Sequence, residues 1–415
     1  MRIFQRSRAP VSSWITKHQL RRAVRRRLLS LGFRRTSDGY SLPSELTKDQ
    51  VRELHRPSRR ALHAAHRGFI GERTFALLRH FADGREINPK GVRPELVEVV
   101  PGTEESELFR LATLLWSVPV SGGFGRRLRF LVRDRQNGKL IGVFALGDPV
   151  FNLGARDMWV GWTAADRAKR LVHTMDAYVV GAVPPYAQLI AGKLVAALMT
   201  SQQVLKAYER KYLGSTSVIE GVEHRARLVL LTTTSALGRS SLYNRLAIPD
   251  GPQFIRLGAT KGFGHFHLSG SLFELMRDYL RQTKHPYASG NRFGMGPNWK
   301  LRVARAALEA VGFDSAVLLR HGVEREVYGI PLARNWREIL QGTQERVYSQ
   351  SKPANDIAEF CRERWLVPRS LRDPTYLRVT RASIRQLLVN GTPLVTLPVQ
   401  EVEARMPVLN TAAAP

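Results

Sequence analysis

The sequence has very little cysteine and no long apolar stretch. One cysteine, Cys361, among 415 residues excludes internal disulfides and any zinc site built from several cysteines, which favours a reducing cytoplasm. No uninterrupted apolar run approaches the roughly 20 residues of a transmembrane helix. Residues 1–8 are basic but are not followed by the apolar core of a signal peptide. We therefore expect a cytoplasmic protein that does not enter the membrane.

The signatures of several enzyme classes are also missing. The sequence contains no Gly-x-Ser-x-Gly elbow and no His-Glu-x-x-His motif, and Cys361 has no evident base beside it. Asp148, Asp157 and Asp166 do not form a recognised carboxylate set. His265 and His267 alternate on an expected strand and could ligate a metal if folding brought His321 to them, but we predict two histidines without a metal.

Acidic residues are scarce relative to basic ones. The chain has 64 Lys and Arg against 35 Asp and Glu, a formal net charge of +29. Such a charge concentrates polyanions at the surface and makes their binding salt-dependent. The alternative is a surface that is basic without a specific partner. We expect nucleic acid as the partner, DNA more than RNA.

The apolar share of 43% and charged share of 24% are ordinary for a folded protein. The patterns predict an α+β fold with a mixed central sheet, a basic helical region before it and a mostly helical region after it. We predict these domains: a basic helical module at 1–75, an α+β core at 76–270, a C-terminal α+β region at 271–390 and a flexible tail at 391–415.

Two expected helices in the first region carry the densest positive charge. We predict that one face of each contacts nucleic-acid phosphates; the alternative is a solvated face rich in arginine. The predicted contact residues are Arg21, Arg22, Arg25, Arg26, Arg27, Arg59 and Arg60.

The core pattern is organised around residues 178–197, where an apolar strand ends at two prolines and a helix follows. The first-turn amides of that helix form an expected anion site. Around it we predict a hairpin from strands at 128–132 and 140–146, a strand at 156–162 and a strand at 226–234. A short helix bearing Tyr243, a hairpin at 254–268 and a strand at 317–322 paired with 325–328 complete the predictions.

Two further segments carry groups suited to phosphate. Arg239, Ser240, Asn244 and Arg245 enter the expected helix at Tyr243 and suit phosphate or base contact, although Ser240 is equally suited to cap that helix. Lys261 lies in a glycine-rich bend, 258–264, which predicts either a phosphate nest or a plain hairpin turn.

The order of these elements resembles the acyl-CoA N-acyltransferase fold. In that superfamily the central strand separates from its neighbour, and the amides after it hold the CoA pyrophosphate. The resemblance implies an acyltransferase-like core with Gln188, Ala191, Gly192 and Lys193 as cofactor-binding residues. It also implies acetyl-CoA as a cofactor and Tyr243 as the catalytic acid.

Four further blocks of the sequence are read together: 156–162, 238–246, 257–264 and 319–322 with Arg325. They resemble the DruA family of the Druantia anti-phage defence systems, and the likeness covers roughly residues 100–370. The resemblance implies a defence role beside a large helicase-like partner. Related domains are joined to transposases, which leaves a transposition accessory protein as a further hypothesis beside a nucleic-acid-binding protein and an N-acyltransferase.

Overall fold

The structure is a computed structural model that describes residues 14–37, 39–42, 46–123, 125–216, 223–224, 226–289 and 299–391. Its contacts group into two compact units. The helical unit comprises 1–61 and 260–324, and the sheet unit comprises 62–259 and 325–415. The predicted domain ranges rest on sequence pattern and stay a prediction, and the predicted tail after Gly391 lies outside the described residues.

The described strands, in chain order, are β1 Arg34–Thr36, β2 Gly39–Ser41, β3 Pro94–Glu98, β4 Arg127–Asp134, β5 Lys139–Gly147, β6 Thr174–Ala182, β7 Ser215–Thr216, β8 Glu223–His224, β9 Leu230–Thr234, β10 Ile255–Ala259 and β11 Glu326–Pro331. The described α-helices are α1 Lys17–Ser30, α2 Lys48–Ala65, α3 Arg67–Leu77, α4 Glu104–Leu114, α5 Gly154–Val160, α6 Ala164–Arg170, α7 Ala191–Leu198, α8 Gln202–Tyr212, α9 Ser271–Gln282, α10 Trp299–Ala310, α11 Ser315–Leu318, α12 Trp336–Gln341, α13 Ala354–Cys361, α14 Val367–Arg372 and α15 Arg381–Asn390.

A seven-stranded mixed sheet is the centre of the sheet unit, which confirms the predicted α+β class. Its strand order is β10-β11-β9-β6-β5-β4-β3. Neighbouring strands are antiparallel except β6 and β9, which run parallel. Apolar side chains pack on both faces of β5, so this strand is buried throughout its length apart from Lys139. The sheet thus places the parallel pair beside its most buried strand.

The predicted hairpin and the strand-turn-helix are confirmed. β4 and β5 pair directly, and the turn closes with the Gly138 amide donating to the Asp134 carbonyl over 2.7 Å. β6 is followed by Pro184 and Pro185, a 3₁₀ turn at Tyr186–Leu189, and α7. Apolar runs that stop at turn residues or prolines, and apolar residues at helical spacing, marked these elements in the sequence.

Two predicted elements of the core are wrong. Residues 156–162 were expected as a strand, but α5 covers most of them and ends at Gly161, whose φ of 85° is the left-handed cap. The predicted helix around Tyr243 is a series of turns. There the Ser240 hydroxyl accepts the amides of Leu242 and Tyr243, and Arg245 has a φ of 59° that a helix cannot contain.

The predicted hairpin at 254–268 and the strand at 317–322 are also wrong. Residues 266–268 form a 3₁₀ turn, and β10 pairs with β11 instead. In the second segment, Val317 and Leu318 end α11, and Arg320 forms a single antiparallel bridge with Phe263. The segment 325–328 does enter a strand, β11, but its partners are β9 and β10.

The helical unit joins an early and a late part of the chain. α1 begins at a capping box formed by Thr16 and Gln19, and it buries Leu20, Val24 and Leu28 along one face. α1 packs on α9, and the β1–β2 hairpin packs on α11. Residues 260–324 follow β10 and precede β11, which are neighbours in the sheet. The later part of the helical unit is therefore an insertion between two neighbouring strands of the sheet unit.

Candidate functional site

The parallel strands β6 and β9 separate after only three paired residues. The pairs are Thr174 with Leu230, Met175 with Leu231, and Asp176 with Thr232. Beyond them, the Thr233 hydroxyl donates to the Ala177 carbonyl over 2.8 Å. A hydroxyl therefore replaces the ladder bond at the point where the strands part.

Asp176 occupies the last paired position, and its neighbours in β6, Met175 and Ala177, are buried apolar residues. Thr232 donates to Asp176 Oδ1 over 2.8 Å. Burial raises the pKa of Asp176 to about 6, although the Thr232 hydrogen bond and the charge of Arg156 oppose this shift. A carboxyl group with such a pKa exchanges protons near neutrality.

The surroundings of Asp176 include a buried arginine and a tyrosine without a partner. Arg156 on α5 is fully buried and pairs with Asp157 at 2.7 Å. A Cβ on Gly123 would lie 2.6 Å from the Tyr178 ring, so glycine is required beside it. The Tyr178 hydroxyl is buried and has no hydrogen-bond partner among the described residues. Tyr178 follows Asp176 by two residues on β6, so the two side chains lie on the same face of that strand.

The expected CoA-binding residues lie in the turn after β6 and at the start of α7. Lys193 Nζ donates to the carbonyls of Leu242 (2.9 Å) and Asn244 (3.1 Å). A Cβ on Gly192 would lie 3.0 Å from Leu242 Cδ1, and the Gln188 carbonyl accepts from Arg369. Ala191 is buried. Lys193 therefore anchors the turn at 242–244, and the cofactor role of these four residues stays a prediction.

Tyr243, the predicted catalytic acid, lies in the core. Its hydroxyl is 3.3 Å from Thr233 Oγ1, and its ring stacks on Phe254 with centroids 5.8 Å apart. Burial raises the pKa of Tyr243 to about 12. Thr233 and Thr232 are adjacent on β9, so Tyr243 and Asp176 lie on opposite faces of the sheet. The catalytic role of Tyr243 stays a prediction.

The turn before Tyr243 divides into buried and exposed groups. Ser240 is buried, and its amide donates to Glu326 Oε2 over 2.8 Å. Arg239, Asn244 and Arg245 are exposed on the same turn. The structure thus places the three larger polar side chains where phosphate could reach them and gives Ser240 the capping role.

Lys261 is exposed in the helical unit, at the glycine-rich bend. The bend packs on a second glycine: the Gly322 amide donates to the Gly262 carbonyl, and a Cβ on Gly262 would lie 2.9 Å from Gly322 C. Close backbone packing explains Gly262 without a phosphate nest.

The predicted contact arginines of the first region include both exposed and buried side chains. Arg22, Arg25, Arg26 and Arg60 are exposed, and Arg21 is half-buried. Arg27 donates to the Ser269 carbonyl over 2.6 Å, and burial lowers its pKa. Arg59 is buried, which lowers its pKa to about 10.

The histidines do not form a metal centre in the described part of the chain, where no three metal-ligating side chains come together. His267 is buried with Nε2 2.8 Å from the Leu318 carbonyl, and burial lowers its pKa to about 4. Within the same residues no helix has the length and apolarity needed to span a bilayer.

These features define an α+β protein with an inserted basic helical unit and a polar site where two parallel strands part. A family model described as "Druantia protein DruA" matches residues 45–342. A Druantia protein DruA from Escherichia coli (strain UMEA 4076-1) is 48% identical over 360 residues, which cover 86% of this chain and 89% of that protein. The chain belongs to the DruA family, which implies a role in anti-phage defence. No solved structure matches it.

Sequence reasoning missed Asp176. The signal was a single carboxylate in the apolar strand Met175-Asp176-Ala177-Tyr178-Val179, since an isolated acid in a buried strand is costly unless it is hydrogen-bonded. Thr232, which supplies that bond, was read only as a strand-forming residue.

Proposed function

We propose that this DruA-family protein binds nucleic acid through arginines of α1, and that DNA is its ligand. One observation carries the proposal: Arg21, Arg22, Arg25 and Arg26 make no ion pair with any described residue. The first turn of α1 contains no acidic residue. Uncompensated guanidinium groups on one helix are available for phosphate, which they bind with two parallel hydrogen bonds.

The expected affinity is independent of sequence and depends on salt. Phosphate contacts release counterions, so the logarithm of the binding constant falls linearly with the logarithm of salt concentration. Each phosphate contact to a duplex contributes about 0.9 to that slope. Removing four contacts therefore lowers the slope by roughly 3 to 4.

The experiment measures duplex DNA binding by the full chain at several salt concentrations. We expect the variant with Arg21, Arg22, Arg25 and Arg26 changed to Gln to bind more weakly and with a flatter salt slope. Arg27 is kept, because it holds the Ser269 carbonyl. A matched RNA duplex tests whether DNA is preferred.

The control variant removes the same charge from the sheet unit, at the exposed residues Arg135, Arg364, Arg372 and Arg378. It should retain the wild-type slope. Equal losses in both variants would indicate bulk charge, and an absence of binding in the wild type would refute the proposal.

We further propose that the protein acts in the cytoplasm beside a helicase-like partner of the same defence system. This proposal rests on the family alone. Co-purification of such a partner with the tagged full chain from a cell that carries the system would support it. A chain that purifies alone under the same conditions would oppose it.

A second candidate is an N-acyltransferase, favoured by the early separation of β6 and β9. The amides of Ala191 and Gly192 begin α7 and donate to no described residue, so they could hold the CoA pyrophosphate. Acetyl-CoA would supply an activated acyl group. An acyl acceptor amine must lose a proton, and the Asp176 carboxylate lies where the strands part.

Its test measures the unfolding temperature with and without acetyl-CoA, and acyl transfer to nucleic acid or protein amines. Stabilisation by acetyl-CoA with loss of transfer in Asp176→Asn would support this function. Loss in Tyr243→Phe would support the predicted catalytic tyrosine. If acetyl-CoA does not stabilise the protein and no acyl transfer is detected, the candidate is excluded.

A further inference from the structure

A basic pocket lies within the helical unit, between α1, the β1–β2 hairpin and the start of α11. Its cavity measures about 210 Å³. The residues that matter for its chemistry are Arg21, Arg25, Arg35, Thr36, Tyr40 and Phe313. Arg35 and Tyr40 are paired neighbours across the hairpin.

The described lining is strongly positive. Arg21, Arg25 and Arg35 form no ion pair with any residue that the structure describes. The acidic residue in the described lining is Asp314, whose carboxylate already accepts the amides of Ala316 and Val317 at the start of α11. Three guanidinium groups therefore face a cavity in which one carboxylate is already engaged.

An aromatic ring orders two of these guanidinium groups. Arg21 and Arg25 are one helical turn apart on α1, and both lie over the Phe313 ring, at 5.3 and 5.9 Å from its centroid. Cation–π contact holds both groups on the same side of the helix, which reduces the side-chain entropy lost when they bind an anion. Arg22 and Arg26 belong to the same helix but do not line the pocket.

Hydroxyl groups complete the described lining. The hydroxyls of Thr36, Ser37 and Tyr40 make no hydrogen bond with a described residue, so each is available as a donor. Guanidinium and hydroxyl donors around a compact cavity match the acceptor oxygens of a phosphate group, whereas a carboxylate offers fewer oxygens to so many donors.

We propose that this pocket is a phosphate-binding site that takes one phosphate of a nucleic-acid strand. This proposal rests on the proposed nucleic-acid binding. It adds that one phosphate binds in a defined pocket beside α1, so the arginines of α1 do not contribute equally. The phosphate is either an internal phosphodiester or a terminal 5′-phosphate, since both present the same oxygens to the arginines.

The experiment compares two variants of the full chain that lose the same charge from the same helix. The pocket variant carries Arg21→Gln and Arg25→Gln, which removes two guanidinium groups from the pocket. The matched control carries Arg22→Gln and Arg26→Gln. We expect the pocket variant to lose at least ten times more affinity for a DNA oligonucleotide than the control. Equal losses would overturn the pocket.

A second measurement does not depend on nucleic-acid binding. Inorganic phosphate should raise the unfolding temperature of the wild type and of the Arg22/Arg26 variant, but not of the Arg21/Arg25 variant. Phe313→Leu, which removes the ring and keeps the charge, should weaken this stabilisation. If phosphate fails to stabilise the wild type, the pocket is refuted, whatever DNA binding shows. Stabilisation without DNA binding would keep the pocket and refute the proposed function.

Oligonucleotides with a 5′-phosphate or a 5′-hydroxyl distinguish the two sources of phosphate. A preference for the 5′-phosphate that disappears in the Arg21/Arg25 variant assigns the pocket to a strand end. Equal affinity for both, with the same loss in that variant, assigns it to an internal phosphodiester.

Discussion

The carboxylate of Asp176 accepts a hydrogen bond of 2.8 Å from the hydroxyl of Thr232, across the last residues that pair β6 with β9. The bond joins two strands at the position where their backbones cease to pair. It holds the carboxylate in a strand whose adjacent residues, Met175 and Ala177, belong to the apolar core. The Asp176–Thr232 pair therefore links the two strands where they part. Its carboxyl group is also the strongest candidate for acid–base chemistry.

Asp176 should make the protein less stable as pH rises from about 4 to 6. Its pKa is about 6 in the folded chain against 3.8 in the unfolded one, so the folded state holds a proton that the unfolded state has already lost. At pH values above 6 the free energy of unfolding is lower by about 3 kcal/mol than at pH values below 4. Chemical denaturation of the wild type and Asp176→Asn across this range measures it, and the variant should be the more stable at pH 7.

Thr232→Val is the companion variant for that measurement. It removes the donor to the carboxylate, which raises the pKa of Asp176 further and extends the fall in stability to higher pH. An unchanged pH profile in both variants would contradict the assignment of the shift to Asp176.

Lys193→Met should destabilise the sheet unit by roughly 2 to 4 kcal/mol, because two carbonyls of the turn at 242–244 lose a charged donor. Lys206→Met is the control, since Lys206 is exposed on α8. Urea denaturation compares the two free energies of unfolding. A loss in Lys193→Met no larger than in the control would show that the turn does not depend on Lys193.

Gly262→Ala should destabilise the helical unit by about 2 kcal/mol or more. Gly262 has a φ of 61°, and an added Cβ would lie 2.9 Å from the Gly322 backbone. Gly32→Ala isolates the effect of conformation, since Gly32 has a φ of 84° with open space around its Cβ position. Gly32→Ala should cost only about 1 kcal/mol. Similar losses in thermal unfolding would show that the contact with Gly322 is unimportant.

Arg27→Met should lower stability without changing the salt slope of DNA binding. Arg27 is half-buried and donates to the Ser269 carbonyl at 2.6 Å. Its exposed neighbour Arg26 should behave oppositely, so Arg26→Met retains stability and weakens binding. Thermal unfolding and DNA titration of both variants decide the matter. A flatter slope in Arg27→Met would place that residue in the interface instead.

The elements that sequence alone predicted are those with local and strong patterns. The β4–β5 hairpin follows from two apolar segments on either side of the turn residues 134–138, and β6 with α7 follows from an apolar run that stops at two prolines. The sequence showed that basic residues cluster on α1, but it did not show which of them form hydrogen bonds within the protein. The separation of Arg22 and Arg26 from Arg27 depends on Ser269, which lies far along the chain.

Two of the wrong predictions, those for 156–162 and 254–268, failed because the observed structure depends on distant partners. Trp159 suited a buried strand, but in α5 it packs against Trp336 with ring centroids 4.1 Å apart. β10 was paired with the segment just after it, whereas its neighbour β11 follows a long insertion. Asp176 became notable only in the folded sheet, because burial raises the pKa of its carboxyl group and burial is not evident from its own segment.

The helical unit takes its parts from positions 1–61 and 260–324, which has a consequence for synthesis. At about 5 to 20 residues per second, the ribosome needs on the order of 10 to 40 seconds to make the roughly 200 residues between them. During that time α1 lacks the helix α9 against which it packs. A strongly basic nascent segment is then exposed to every polyanion nearby, including RNA, before its core can form. Completion of the insertion thus sets the moment at which the arginine face of α1 becomes a defined surface.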